Sequence, residues 1–228
     1  MYRNTDYFVY FSFLLFFVMI AASLAVLLWT HLVKRRRARQ LRSLAERHGF
    51  DFQKSGPDFT REYADTEVVR RNSLAESRNE ISGATDGLRL RYFDAFSPAK
   101  KACLSIVACH APYSFRPLRV EERKPLLARN VTDLEEFTGW GTVDLDLAEF
   151  NASLKALCTD KKFTFDLLHQ RAMEFLLERP GMRLETVRGC FFLYYMGRLS
   201  AEGVAKLISD ARIFASLLPS YLRISAAV

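Results

Sequence analysis

Few residues in this chain have types and spacings that could do chemistry. Cys109 and His110 are adjacent, which invites a thiol nucleophile with an imidazole base. On a strand, neighbours point to opposite faces, so these two cannot meet directly. Asp144 and Asp146, in "VDLDL", would share one strand face about 7 Å apart. Paired carboxylates can exchange protons or hold a metal. Alternating charge is also what the solvated side of an antiparallel sheet displays. The other histidines are His31, beside an apolar run, His48, at a helix end where a cation suits the dipole, and His169, within a helical pattern. Trp140, in "GWG", reads as a turn anchor or a docking residue.

No phosphate-cradling glycine loop, G-x-S-x-G, H-E-x-x-H or cysteine–histidine zinc pattern occurs. "GATDG" has the wrong spacing for a dinucleotide site and falls in a hairpin. Neither a catalytic residue, a cofactor nor a metal is therefore expected, and a non-catalytic role is favoured. A membrane-tethered enzyme is the alternative, with Asp144, Asp146 and His110 as its nominees.

Charge is more informative than motif. The formal net charge is +7. Lys34, Arg35, Arg36, Arg37, Arg39, Arg42 and Arg47 against Glu46 account for +6 of it. Residues 48–228 hold 25 basic and 24 acidic side chains. A nucleic-acid domain spreads its cations over a folded face, so nucleic acid is not expected as a partner.

The cations follow "YFVYFSFLLFFVMIAASLAVLLWTHLV", residues 7–33, which lacks Asp, Glu, Lys and Arg. As a helix this run reaches about 40 Å, more than the ~30 Å hydrocarbon layer. It leaves no solvated face, so a buried soluble helix is a poor reading. "SLA" (23–25) loosely resembles a signal-peptide cleavage site, but signal peptides carry their positive charge before a shorter apolar stretch. A retained single span centred on Phe8 to Leu28 is expected, with Tyr7, Tyr10 and Trp29 near its ends. Positive flanks stay on the cytoplasmic side. The expected topology is therefore a short tail outside and everything after Val33 inside, at the cell's inner membrane. Lys34, Arg35, Arg36, Arg37, Arg39 and Arg42 are candidate contacts to the membrane surface, where guanidinium groups meet anionic headgroups. The expected partners are the bilayer and a protein or second copy; an anionic-lipid sensor is a further alternative. In a reducing compartment Cys103, Cys109, Cys158 and Cys190 are expected as free thiols.

The elements that would position these residues follow from periodicity. The helix is expected to continue to about His48, with Gly49 ending it. Residues 78–96 read as a hairpin turning at "TDG", and 101–111 as a central strand. The segment 114–130, with two prolines, reads as an edge or a loop. "GWGTVDLDLAEF" and "FNASLKALC" read as strands. "TFDLLHQRAMEFLLER" reads as one helix capped by Thr164, "MRLETVRG" and "CFFLYYMG" as a strand pair, and a last helix is capped by Ser200. Residues 59–77 carry no clear pattern. The expected fold class is α+β: an N-terminal transmembrane helix, then one domain with an antiparallel sheet and helices packed on it. The expected parts are 1–33 tail and span, 34–49 basic juxtamembrane helix, and 50–228 cytoplasmic domain.

The succession "LAERHGFDF", "RNEISGATDGLRLRYFDAF", "FRPL", "VDLDLAEFNASLKALC" and "FLYYMGRLSAEGVAKLISDARIF" resembles a group of uncharacterised bacterial single-span membrane-anchored proteins, over most of residues 41–218. The resemblance implies a small membrane-anchored bacterial protein with a cytoplasmic domain. It brings no activity and no functional residue.

Overall fold

A computed structural model describes residues 4–56, 58–64, 66–85, 87–123, 140–187 and 189–222. The side chains of residues 4–13, Tyr7 and Tyr10 among them, and of residues 59 and 60 lie outside that description, as do residues 124–139. The chain divides into two units, residues 1–40 and 41–228.

Helix α1 runs Asn4–His48. Among the described residues it is the one helix long and apolar enough to cross a membrane, and none of its apolar stretch is buried. It ends where expected: Gly49 has φ +68°, a conformation that glycine adopts without strain.

The second unit contains a nine-stranded sheet of order β1-β2-β3-β4-β9-β8-β5-β7-β6 with antiparallel neighbours. Its strands are β1 Asp51–Ser55, β2 Glu76–Thr85, β3 Leu88–Ser97, β4 Ala102–His110, β5 Leu118–Glu122, β6 Gly141–Val143, β7 Leu154–Cys158, β8 Met182–Val187 and β9 Cys190–Met196. The helices are α2 Phe59–Glu62, α3 Glu67–Asn72, α4 Ala148–Ser153, α5 Lys161–Leu167, α6 Gln170–Leu177 and α7 Ala201–Leu217. The expected fold class is the one found. The β2–β3 hairpin, the central β4, the β8–β9 pair and α7 lie where periodicity puts them. The Ser200 hydroxyl accepts from the Gly203 N–H at 3.1 Å, capping α7.

Alternation sorts the strands into two faces. One carries the larger core, with Ile81, Leu90, Tyr92, Val107, Leu118, Leu184, Phe191 and Leu193 under Leu41, Leu44, Phe150 and Phe214. The other carries Phe93, Leu104, Ile106, Phe192 and Tyr194 under Tyr63, Val68, Val69 and Leu74. The unpatterned stretch 59–77 is therefore the cover of the second face. Its helices are too short to show a period.

Three expectations are corrected. The proline-bearing segment is not an edge: β5 pairs with β7 and β8. Pro117 precedes the first ladder residue and so removes no bond, while the inward charges Arg119 and Glu121 pair with each other at 3.5 Å. Next, the strand over 140–147 stops at Val143. Asn151 then takes over as partner, accepting from the Leu145 N–H (3.0 Å) and donating to its carbonyl (2.6 Å). "FNAS" is accordingly helical, and only Leu154–Cys158 is strand. Finally, the first C-terminal helix is two helices. Asp160, not Thr164, caps α5, accepting from Phe163 N–H at 3.1 Å. His169, with ψ 166°, breaks the chain direction before α6. Its Nε2 lies 2.8 Å from the Leu217 carbonyl, so this histidine ties α6 to the end of α7.

Candidate functional site

The residues that the sequence nominates are not brought together. Cys109 is fully buried in the larger core, and burial pushes its thiol well above the ordinary range. His110 points to the opposite face. Asp144 and Asp146 are exposed, Asp144 lying 3.7 Å from Arg123. Among the described residues no cluster of His, Cys, Asp and Glu could hold a metal. Trp140 is half-buried, with its ring 5.7 Å from the Arg119 guanidinium. In the basic collar Lys34, Arg35, Arg36, Arg39 and Arg42 are exposed, whereas Arg37 is buried. The Arg42 guanidinium stands 5.6 Å from the Phe52 ring. All four cysteines are free, and Cys109, Cys158 and Cys190 are buried.

What the fold does assemble is a cleft on the second face, of about 690 Å³. Residues Ser82 and Ala84 of β2, Arg89 and Arg91 of β3, and His110 of β4 lie along it, with Asp51 of β1 on one side and Glu62 of α2 on the other. Register explains the grouping. Asp51 pairs with Ser82, Ser82 with Arg91, and Arg89 with His110. Alternation puts all five side chains on one face.

A chain of hydrogen bonds fixes the wall of this cleft. Arg91 donates through Nε to Glu80 Oε1 at 2.7 Å and through Nη1 to Glu62. Its positive charge lies near the Tyr63 hydroxyl and pulls that group's pKa down against burial. That hydroxyl lies 2.7 Å from His110 Nε2. Between these two atoms the phenolic O–H is the donor when Nε2 is unprotonated. In that tautomer the neutral imidazole carries its proton on Nδ1. Burial lowers the pKa of His110; Glu62 opposes this, while Arg91 and Arg89 reinforce it. Burial holds the Tyr63 hydroxyl far above its ordinary range, with Cys190 adding to the effect.

A second set of charges lies beneath α3. Glu185 of β8, fully buried, accepts from the backbone N–H groups of Glu67 (2.7 Å) and Val68 (2.8 Å). Burial pushes its carboxyl up to about 7, against the pull of those donors and of Arg119. For Glu121 the balance is reversed. Burial raises its pKa, but Arg119, Arg71 and Lys155 outweigh it and hold the carboxyl below its usual range.

Half of the cleft is readable in the hairpin, since "LRLR" puts Arg89 and Arg91 on one face. Glu62 and Tyr63 are not readable, because nothing in 59–77 shows which face they cover.

No family model matches this chain, and no curated protein matches it in sequence. Among solved structures it is similar to the crystal structure of the mycobacterial trehalose monomycolate transport factor A, TtfA. The TM-score is 0.53 at 12% identity, covering 81% of this chain and 97% of that one. At such identity the likeness is one of fold.

Proposed function

We propose that this chain is a single-span, membrane-anchored accessory protein whose domain binds a protein partner, or a second copy of itself, without doing chemistry. One pairing carries the reading. An exposed apolar helix, long enough to cross a bilayer, belongs to a chain whose fold is similar to that of a transport factor over nearly all of the latter's length. That protein is a transport factor by name, and an accessory role of that general kind is what is proposed here.

In this reading the span lies within residues 7–33, the tail is outside, the basic helix covers 34–49, and the domain 50–228 is cytoplasmic at the inner membrane. The exposed Lys34, Arg35, Arg36, Arg39 and Arg42 lie on anionic headgroups, each worth about 1 kcal/mol. The dispersal of Asp144, Asp146 and His110 weighs against the enzymatic alternative.

Protease protection of a C-terminally tagged chain tests the anchor. The tag should survive in spheroplasts and be lost in inverted vesicles; digestion in spheroplasts refutes the topology. Crosslinking in the membrane, followed by detergent capture, tests the accessory role. A stoichiometric membrane partner or a dimer is expected, and a monomer recovered alone refutes it. Replacing Arg35, Arg36 and Arg39 with Gln should weaken flotation with anionic vesicles while leaving insertion intact.

A further inference from the structure

Most charges of the second-face cleft are already committed. Arg91 is held between Glu80 and Glu62. Two are not: Arg89 and Asp51 are exposed and make no ion pair among the described residues. They flank the cleft from β3 and β1, with β2 between them, so their backbones stand about 10 Å apart or more. The floor between them is made of the small side chains Ser82 and Ala84. Next to Arg89, in direct cross-strand register, is His110. Nε2 is occupied by Tyr63, and Nδ1, the donor nitrogen when Tyr63 gives its hydrogen to Nε2, has no hydrogen-bond partner among the described residues.

We propose that this cleft binds a small dipolar ligand, with an anionic oxygen group on Arg89 and His110 Nδ1–H and an ammonium group toward Asp51. A simple anion fits poorly. The three carboxylates Asp51, Glu62 and Glu80 outnumber the two guanidinium groups, so the whole cleft repels net negative charge. A simple cation leaves Arg89 and the imidazole N–H unmet. A ligand carrying both groups satisfies each end, and its own opposite charges spare the desolvation of an uncompensated ion. The volume of about 690 Å³ lies within the range of small-molecule sites and leaves room for more than the two charged groups. The site is independent of the accessory role proposed above and stands whether or not a protein partner is found.

The test is calorimetric titration of the full chain in maltoside micelles with glycerophosphoethanolamine, a net-neutral phosphodiester dipole, with dimethyl phosphate and ethylamine as single-charge controls. One-to-one binding is expected for glycerophosphoethanolamine, at least about tenfold tighter than for either control. Arg89→Gln should weaken it at least about tenfold, as expected for loss of a charge-assisted hydrogen bond, and Asp51→Asn should weaken it less. Both side chains are exposed, so both variants keep the fold, which an unchanged unfolding midpoint verifies. Phosphatidylethanolamine dispersed in the micelles separates two sources of the same chemistry. Competition with the soluble probe makes the ligand a lipid headgroup, and undiminished binding of the probe makes it a free molecule. Equal affinity for dimethyl phosphate, equal affinity in Arg89→Gln, or no binding of the dipolar probe in either form overturns the proposal.

Discussion

At the scale of single residues, the strongest pH-dependent feature is Glu185. Its folded pKa, about 7, lies above the ordinary value of 4.5, so the folded chain holds this proton more tightly than the unfolded chain. The stability it contributes is complete below pH 4.5 and is lost as pH rises through 7. The swing is of order 3 kcal/mol. Glu185→Gln should remove it: the urea midpoint of the wild type should fall relative to the variant between pH 4.5 and 7. A pH-independent difference between the two would refute this. His110 acts in the other direction. Its lowered pKa favours the neutral ring, so its stabilisation is lost as pH falls below its ordinary 6.5. Tyr63→Phe removes the hydrogen-bond partner of Nε2, and about 1 kcal/mol of stability should go with it. None of this chemistry is visible in the sequence. "LETV" gives no hint that Glu185 is sealed beneath a helix, because the six-residue α3 above it has no period of its own.

At the scale of elements, legibility followed the length of the pattern. The hairpin, β4, the β8–β9 pair and α7 each carry enough alternation or helical stripe to be read. The failures were short or locally supported: β1, α2, α3, and the Asn151 side chain standing in for a strand partner. The break between α5 and α6 was missed for a related reason. Phe165 and Leu168 fit one apolar stripe, yet Phe165 is exposed, and Phe163 and Leu167 take the core. One close approach can be tested directly. A Cβ on Gly83 would stand 2.1 Å from the Phe50 ring, so the aromatic would have to move. Gly83→Ala should cost about 1–3 kcal/mol, and pairing it with Phe50→Leu should recover part of that cost. Additive losses in the double variant would show that the ring is not the obstacle.

At the scale of the whole molecule, the juxtamembrane sequence has two roles. Its cations make up nearly all the net charge, yet its last turns supply Leu41, Leu44 and Ala45 to the larger core, where Leu41 and Ala45 are completely buried. The helical spacing of Leu41, Leu44 and Ala45 is legible in "LRSLAERHGF", but their destination is not, since only the sheet shows what they pack on. A chain beginning at residue 41 should therefore fold cooperatively. One beginning at residue 50 should lose several kcal/mol, because each missing leucine leaves a cavity worth about 2–5 kcal/mol. Thermal denaturation of the two truncations measures this directly, and equal midpoints would place the domain boundary after the helix.

The four free thiols make the chain a recorder of its own breathing. Cys109 and Cys190 lie on adjacent strands, one sealed in each core, while Cys158 sits in β7 toward the far edge and Cys103 is half-exposed. An alkylating reagent meets each buried sulfur only when its own layer lifts. The order in which Cys109, Cys158 and Cys190 are tagged, timed by mass spectrometry, thus tells which side of the sheet opens first, without altering a residue.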